Sequence, residues 1–223
     1  MIHVHHLEKS RSHRILWLLE TLGLDYEIIV YQRDASTQQA PATLKEVHPL
    51  GKSPVITDGE LTVAESGAII DYLTQRYGNG RCQPNIDNAS DWVDYRYWLH
   101  YAEGSLMPLL VMQLVFGQLP KRAPWLVKPV AKGITQTVNR TFLHPQINQH
   151  LRFIDDYLAT HEHFAGPWPS GADVQMSFPL QAVAATHSLT SYPAIARFVE
   201  RVEADPAWQR VVERAGPLTM PGA

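Results

Sequence analysis

The sequence has almost no cysteine and no long apolar run. Cys82 is the single cysteine in 223 residues, which excludes an intramolecular disulfide framework. No apolar run approaches the roughly 20 residues of a membrane-spanning helix, and the N-terminus lacks the apolar core of a signal peptide. We therefore expect a cytoplasmic protein without a membrane partner.

Strong net charge and metal-binding spacing are also missing. The formal net charge of -3 gives no reason to expect a nucleic acid as partner. The 11 histidines are scattered, and neither His-x-x-x-His nor Cys-x-x-Cys occurs, so we expect no metal site. The apolar and charged fractions, 45% and 18%, are those of a globular chain rather than a disordered one.

The first 31 residues predict a strand, a helix and a second strand. Residues 2–7 alternate in polarity, and residues 26–31 are rich in β-branched and aromatic side chains. Gly23 predicts the end of the intervening helix. The apolar face of that helix is predicted to consist of Ile15, Leu18, Leu19 and Leu22. We interpret His3, His5 and His6 as polar positions at a strand edge.

The stretch from Gly51 to Gly67 organises the chain. Pro54 suits the first residue of a strand, and a cis Ser53–Pro54 bond would leave the Ser53 backbone facing outward. Asp58-Gly59 predicts a hairpin, after which Ser66 is expected to cap a helix. A helix N-terminus binds a carboxylate, and Glu65 would bind an amino group. The stretch therefore fits a zwitterionic peptide end. Together the two segments give a thioredoxin-like order of strands and helices.

The second half is predicted to be helical. Residues 79–89 read as a linker in which Cys82 is inert, and 90–215 as an all-helical domain. Three prolines predict a loop over 117–129 between two long helices, and Pro145 should distort the second of them.

The C-terminal end of this half contains two helix-start signals. Ser170 and Asp173 form a variant capping box, and Asp205-Pro206 starts the last helix. Residues 216–223 are expected to be a frayed tail.

The stretch 51–67, with residues 10–24, resembles the glutathione transferase family. The match is strong over residues 1–78 and looser beyond. Ser10 lies four residues before Arg14, as in serine-type, bacterial-like members. The resemblance implies an α/β thioredoxin-like N-terminal domain, an all-α C-terminal domain and a homodimer. It also implies glutathione as co-substrate, with no other cofactor.

The resemblance assigns roles to individual residues. Ser10 is the first candidate to activate the glutathione thiol, with an ordinary loop serine as the alternative. Ser12 is the second candidate, with helix N-cap as its alternative. Lys52 would bind the glycyl carboxylate, and the backbone of Ser53, held by Pro54, would pair with the cysteinyl peptide. The γ-glutamyl end would be held by Glu65 and Ser66.

The second substrate is expected between the first loop and the long helix after the linker. The candidate lining residues are His6, Leu7, Tyr97, Tyr101 and Met107. An aromatic stripe at helical spacing is also typical of a core or a dimer interface.

The function implied is detoxifying conjugation of glutathione to small hydrophobic electrophiles. Two alternatives share the site: a glutathione-dependent peroxidase or disulfide reductase, and a non-catalytic glutathione-binding regulator. The first loop has no tyrosine or cysteine, which disfavours the family members that use those residues.

Overall fold

The computed structural model describes residues 1–220. Its N-terminal half is built on a four-stranded sheet in the order β2-β1-β3-β4. Strand β1 pairs in parallel with β2 and antiparallel with β3, which continues antiparallel into β4. The strands are β1 (Ile2–Leu7), β2 (Tyr26–Tyr31), β3 (Val55–Asp58) and β4 (Leu61–Ala64). The predicted hairpin at Asp58-Gly59 joins β3 to β4.

Three helices complete this half as the thioredoxin-like pattern predicted. They are α1 (Ser12–Leu22), α2 (Thr43–Val47) and α3 (Ser66–Tyr77). Helix α1 ends where the sequence predicted, because Gly23 takes the left-handed conformation and its N–H bonds to the carbonyls of Glu20 and Leu19. Beyond α3 the chain is helical, which gives the two-part fold expected from the sequence.

The helical half contains seven α-helices and two π-helical turns among the residues described. The turns, Ala102–Leu106 and Asn139–Leu143, join successive helices without a loop. The helices are α4 (Ala89–Tyr101), α5 (Met107–Arg122), α6 (Lys128–Val138), α7 (His144–Thr160), α8 (Gly171–Thr186), α9 (Pro193–Ala204) and α10 (Pro206–Ala215). The distortion predicted at Pro145 takes the form of the second π turn, which ends just before α7.

The loop predicted over 117–129 is wrong in length. Helix α5 continues through Pro120 to Arg122, so the loop shrinks to residues 123–127. A proline leaves the carbonyl four residues earlier without its helical donor. That carbonyl, of Phe116, instead accepts the Thr135 hydroxyl of α6 at 3.1 Å. The next helix, α6, therefore supplies the donor that the Phe116 carbonyl lacks, and α5 continues past Pro120.

The continuous helix over Ala89–Arg122 is long and apolar enough to cross a membrane by length and composition. The sequence expectation missed it because polar residues interrupt its apolar positions. Length and composition alone do not distinguish a membrane span from a helix of a soluble protein, and 28% of the apolar window is buried inside the protein. The observation therefore assigns no membrane role.

The predicted capping box at the start of α8 is confirmed. The Ser170 hydroxyl accepts the Asp173 N–H at 3.2 Å, and the Asp173 carboxylate accepts the Ser170 N–H at 2.8 Å. The same carboxylate accepts the Phe164 N–H at 2.8 Å. It joins the helix start to the preceding loop. Cys82 is buried, and burial raises the pKa of its thiol to about 11, so the thiol is inert as expected.

The C-terminal segment differs from the frayed tail that was predicted. The Gly216 carbonyl accepts a hydrogen bond from the His13 ring at 3.2 Å, and Leu218 and Met220 pack against the core. These contacts anchor residues 216–220. The rest of the predicted tail, residues 221–223, lies outside the described residues.

Candidate functional site

Ser10 and Ser12 lie together where β1 leads into α1. Their hydroxyl oxygens are 2.8 Å apart, and the Ser12 N–H donates to the Ser10 hydroxyl at 3.3 Å. The N-cap role considered for Ser12 is wrong. Arg11 occupies the cap position, and Ser12 is the first helical residue. Both serines are buried, but only Ser10 lines the large cavity beside the loop.

His6 continues this chain of hydroxyls inward. Its Nδ1 lies 2.8 Å from the Ser12 hydroxyl. Burial, followed by the neighbouring His13, lowers the pKa of His6 to about 4, so the ring is neutral at neutral pH. The strand-edge interpretation of His5 and His6 is therefore wrong. Strand β1 is an interior strand of the sheet, and both residues are buried.

Ser53 and Pro54 stand beside the same loop. The Ser53–Pro54 peptide is cis. The Ser53 hydroxyl donates to the His5 carbonyl at 2.9 Å and lies 3.3 Å from the Ser10 hydroxyl. Lys52 and Ser53 line the cavity, whereas Pro54 is buried behind them. The structure thus brings Ser10, Lys52 and Ser53 to one cavity wall.

Glu65 and Ser66 mark the start of α3, which begins one residue earlier than the predicted Ser66 cap implied. Glu65 is the cap residue, at a φ of 70°, and Ser66 is the first helical residue. The predicted N-cap role of Ser66 is therefore wrong. Its hydroxyl instead accepts the Arg14 Nη2 at 2.7 Å and the Gln175 amide at 3.3 Å. The side chain of Glu65 remains exposed.

Arg14 joins this helix start to the helical half. Its guanidinium is fully buried and donates to the Gln175 carbonyl at 2.7 Å and to Glu103 at 2.5 Å. Burial lowers the pKa of Arg14 to about 10, and the Glu103 carboxylate opposes that shift. Glu103 also pairs with Arg11 at 3.1 Å. Sequence reasoning missed Glu103 and Gln175, because no local pattern shows which distant residues meet Arg14.

The cavity has a volume of about 730 Å³ and lies between the β1–α1 loop and α5. Leu7 and Met107 line it, as the sequence suggested. His6 does not, because it lies behind Ser12.

Tyr97 and Tyr101 do not line the cavity either, so the prediction is wrong for this cavity. They belong to an aromatic cluster with Trp98 and Phe153. In that cluster the Tyr101 hydroxyl is hydrogen-bonded to His150.

Comparison with known proteins identifies the family. The model for "Glutathione S-transferase, N-terminal domain" matches residues 1–75. "Glutathione S-transferase 3" of Schizosaccharomyces pombe is 34% identical over 221 residues, covering 99% of this chain and 90% of its own. The chain belongs to the glutathione S-transferase family. Its two-part fold is the fold of this family, and the resemblance seen in the sequence is confirmed.

Further glutathione S-transferases match along nearly the whole chain. "Glutathione S-transferase 1" of Saccharomyces cerevisiae is 30% identical and covers 98% of this chain and 97% of its own. A glutathione S-transferase structure from Actinobacillus pleuropneumoniae has a TM-score of 0.82 at 34% identity, covering 98% of this chain and 94% of its own. A beta-class enzyme from Sphingomonas chungbukensis, at 18% identity and a TM-score of 0.70, shares the fold. The chain is therefore a glutathione S-transferase with bacterial structural neighbours.

Proposed function

We propose that this transferase conjugates glutathione to apolar electrophiles, with Ser10 as the residue that stabilises the thiolate. The observation that carries this proposal is that Ser10 opens on the cavity while Ser12 lies behind it. A free thiol has a pKa of about 8.5, and a hydrogen-bond donor beside the sulfur lowers it. A hydroxyl on the cavity wall at the start of α1 meets that requirement.

The remaining candidate residues suit the rest of glutathione. Lys52 would bind the glycyl carboxylate, and the Ser53 backbone would pair with the cysteinyl peptide bond. Ser66 at the helix start and the Glu65 carboxylate would hold the γ-glutamyl end. A sphingomonad glutathione S-transferase of the same fold was solved in complex with glutathione, at 21% identity and a TM-score of 0.71. That complex supports a bound glutathione in this fold.

The hydrogen bonds behind Ser10 support a fixed direction for its proton. The Ser53 hydroxyl already donates to the His5 carbonyl. If the neutral His6 donates from Nδ1 to Ser12, the Ser12 hydroxyl donates to Ser10. The Ser10 hydroxyl is then left as a donor, with the Ser53 oxygen at 3.3 Å as one acceptor and a bound thiolate, which carries a charge, as the stronger one. Such chains strengthen each bond through polarisation. His6 is thus a positioning residue that acts through Ser12.

The test compares Ser10→Ala with Ser12→Ala. We expect Ser10→Ala to raise the pKa of the bound glutathione thiol toward 8.5, read from thiolate ultraviolet absorption. Turnover should fall by roughly 10²-fold, the scale for losing one donor to an anion, with glutathione affinity little changed. Unchanged turnover in Ser10→Ala, with a loss in Ser12→Ala, would move the role to Ser12. Glutathione binding by wild type without any conjugation would favour the regulatory alternative.

We also infer a cytoplasmic homodimer. The supporting observation is an apolar patch of three side chains on α4 and α7: Val93, Tyr97 and Phe153 are 63%, 46% and 45% exposed. Aromatic and aliphatic side chains of this kind are typical of subunit interfaces.

A further inference from the structure

The cavity beside Ser10 is lined by charges of one sign. No carboxylate residue lines it among the residues described. The cationic lining residues are Lys9, Arg11, Arg33, Lys45, Lys52 and Lys121. Arg11 pairs with Glu103. In the described part of the chain, no side-chain nitrogen of the other five forms an ion pair within 4.0 Å, although the Glu8 carboxylate accepts the Arg33 backbone N–H at 2.9 Å. The cavity is therefore electropositive.

A bound glutathione would not pair with all of the cationic side chains that line the cavity. It carries two carboxylates and one ammonium group, and the thiolate adds one further negative charge. The proposed function assigns the glycyl carboxylate to Lys52 and the γ-glutamyl end to Glu65 and Ser66, which lie outside the cavity lining. Lys121 lies on α5, on the helical side of the cavity. Its charge is available to a second substrate.

Helix α5 shapes this side of the cavity as a long strip. The lining residues recur along one helix face, from Met107 through Leu110, Val111 and Leu114 to Lys121. At 1.5 Å per residue, Met107 and Lys121 are about 21 Å apart along the axis. Phe178 of α8 adds a second apolar wall. The strip is mostly apolar over its first two turns, where Gln113 is its one polar residue, and it ends with Gln118 and the cationic Lys121.

Ser10 lies at the apolar end of this strip. Arg11, the next residue, pairs with Glu103 in the π turn that immediately precedes α5. This ion pair fixes the β1–α1 loop at the Met107 end of the helix. A substrate that reacts beside Ser10 and extends along α5 therefore reaches Lys121 with its distal end.

We propose that the second substrate is an elongated apolar electrophile with a carboxylate at the end remote from its reactive carbon. The carbon lies beside Ser10, the chain along α5, and the carboxylate at Lys121. This proposal rests on the proposed function. In the test reaction the glutathione sulfur bonds to an aryl carbon, and the carbon–chlorine bond breaks. Chloride leaves with the bonding pair, and the thiol proton goes to water.

The experiment varies the distance between the reactive carbon and the carboxylate of the probe. The probes are amides of 4-chloro-3,5-dinitrobenzoic acid with ω-amino acids of increasing chain length, each paired with its methyl ester. The ratio of kcat/KM for acid over ester should rise with length to a maximum and then fall. Lys121→Met should lower this ratio at its maximum by three- to fivefold, the scale of an exposed ion pair of about 1 kcal/mol. Lys121→Glu should lower it further.

Lys132→Met is the matched control, because Lys132 lies on α6 and does not line the cavity. It should leave the ratio unchanged. A ratio independent of length, or equal losses for acid and ester in Lys121→Met, would overturn the proposed substrate class and leave the transferase function standing. No conjugation of any probe or of 1-chloro-2,4-dinitrobenzene by wild type would overturn the function and this proposal together.

Discussion

At the scale of single residues, the proposed activation of the glutathione thiol involves groups that do not line the cavity. Ser10 is the only member of the His6, Ser12 and Ser10 chain that lines the cavity. Because the other two lie behind it, their effect on the reaction must pass through the Ser10 hydroxyl. Substitution of His6 or Ser12 should therefore change the pKa of the bound glutathione thiol more than it changes the affinity for the electrophile.

His6→Leu should raise the pKa of the bound glutathione thiol and lower kcat, with little change in KM for the electrophile. The pH profile should shift to higher pH, because activity rises as the thiol ionises. His6 itself adds no step near neutral pH, since its pKa of about 4 keeps it uncharged there. Titration of the thiolate absorption measures the shift.

Two variants control this prediction. His6→Asn keeps a polar group near the Nδ1 position and should recover most of the shift. His5→Leu removes the neighbouring buried histidine, which bonds to the Tyr31 hydroxyl and to neither Ser10 nor Ser12, and should leave the thiol pKa unchanged. Identical thiol titrations for wild type and His6→Leu would show that the hydroxyl chain has no part in activation.

At the scale of helices and strands, the sequence predicts a helix end correctly where the residues that determine it lie within one turn. The end of α1 at Gly23 and the capping box at Ser170 follow from residues within one turn, and the structure has both. Ser12 and Ser66 were wrongly considered as caps, because each hydroxyl bonds to a distant residue instead. Helix-start residues alone do not reveal these tertiary partners.

The burial of His6 was unpredictable for a different reason. It depends on α1, whose Ser12 and His13 contact the His6 ring, and the local pattern does not show which helix packs on this face of β1. The orientation of Tyr97 likewise depends on how α4 packs against α7. The π turn that carries Glu103 has no sequence signal that we recognise. The serine, lysine and proline positions of the candidate site are predictions from the family resemblance, not from the local pattern.

The α5–α6 hairpin offers a prediction at this scale. Thr135→Val should lower the free energy of unfolding by about 1 kcal/mol, because the Phe116 carbonyl loses the donor that replaces the one missing at Pro120. For a chain of this size that corresponds to a fall in Tm of about 2–4 °C. Thr137→Val, an exposed position on the same helix, is the control. Equal Tm values for both variants would contradict the role of this bond.

At the scale of the whole molecule, the inferred dimer can be tested at one exposed side chain. Val93→Glu should convert the protein to a monomer by placing a charge in the apolar patch, without loss of fold, because Val93 is 63% exposed. Light scattering with size-exclusion chromatography measures the mass, and circular dichroism checks the fold. Val30→Glu, 62% exposed on edge strand β2, should remain dimeric. A dimeric Val93→Glu variant would place the interface elsewhere.

The buried Arg14 also limits how this enzyme can be recombined with its relatives. Its guanidinium belongs to the N-terminal half, whereas Glu103 and the Gln175 carbonyl belong to the helical half. A buried charge deprived of its partner costs about 3–5 kcal/mol. A chimaera that joins residues 1–78 to a foreign helical half must therefore supply an acid at the position of Glu103. The two halves are exchangeable only as a matched pair.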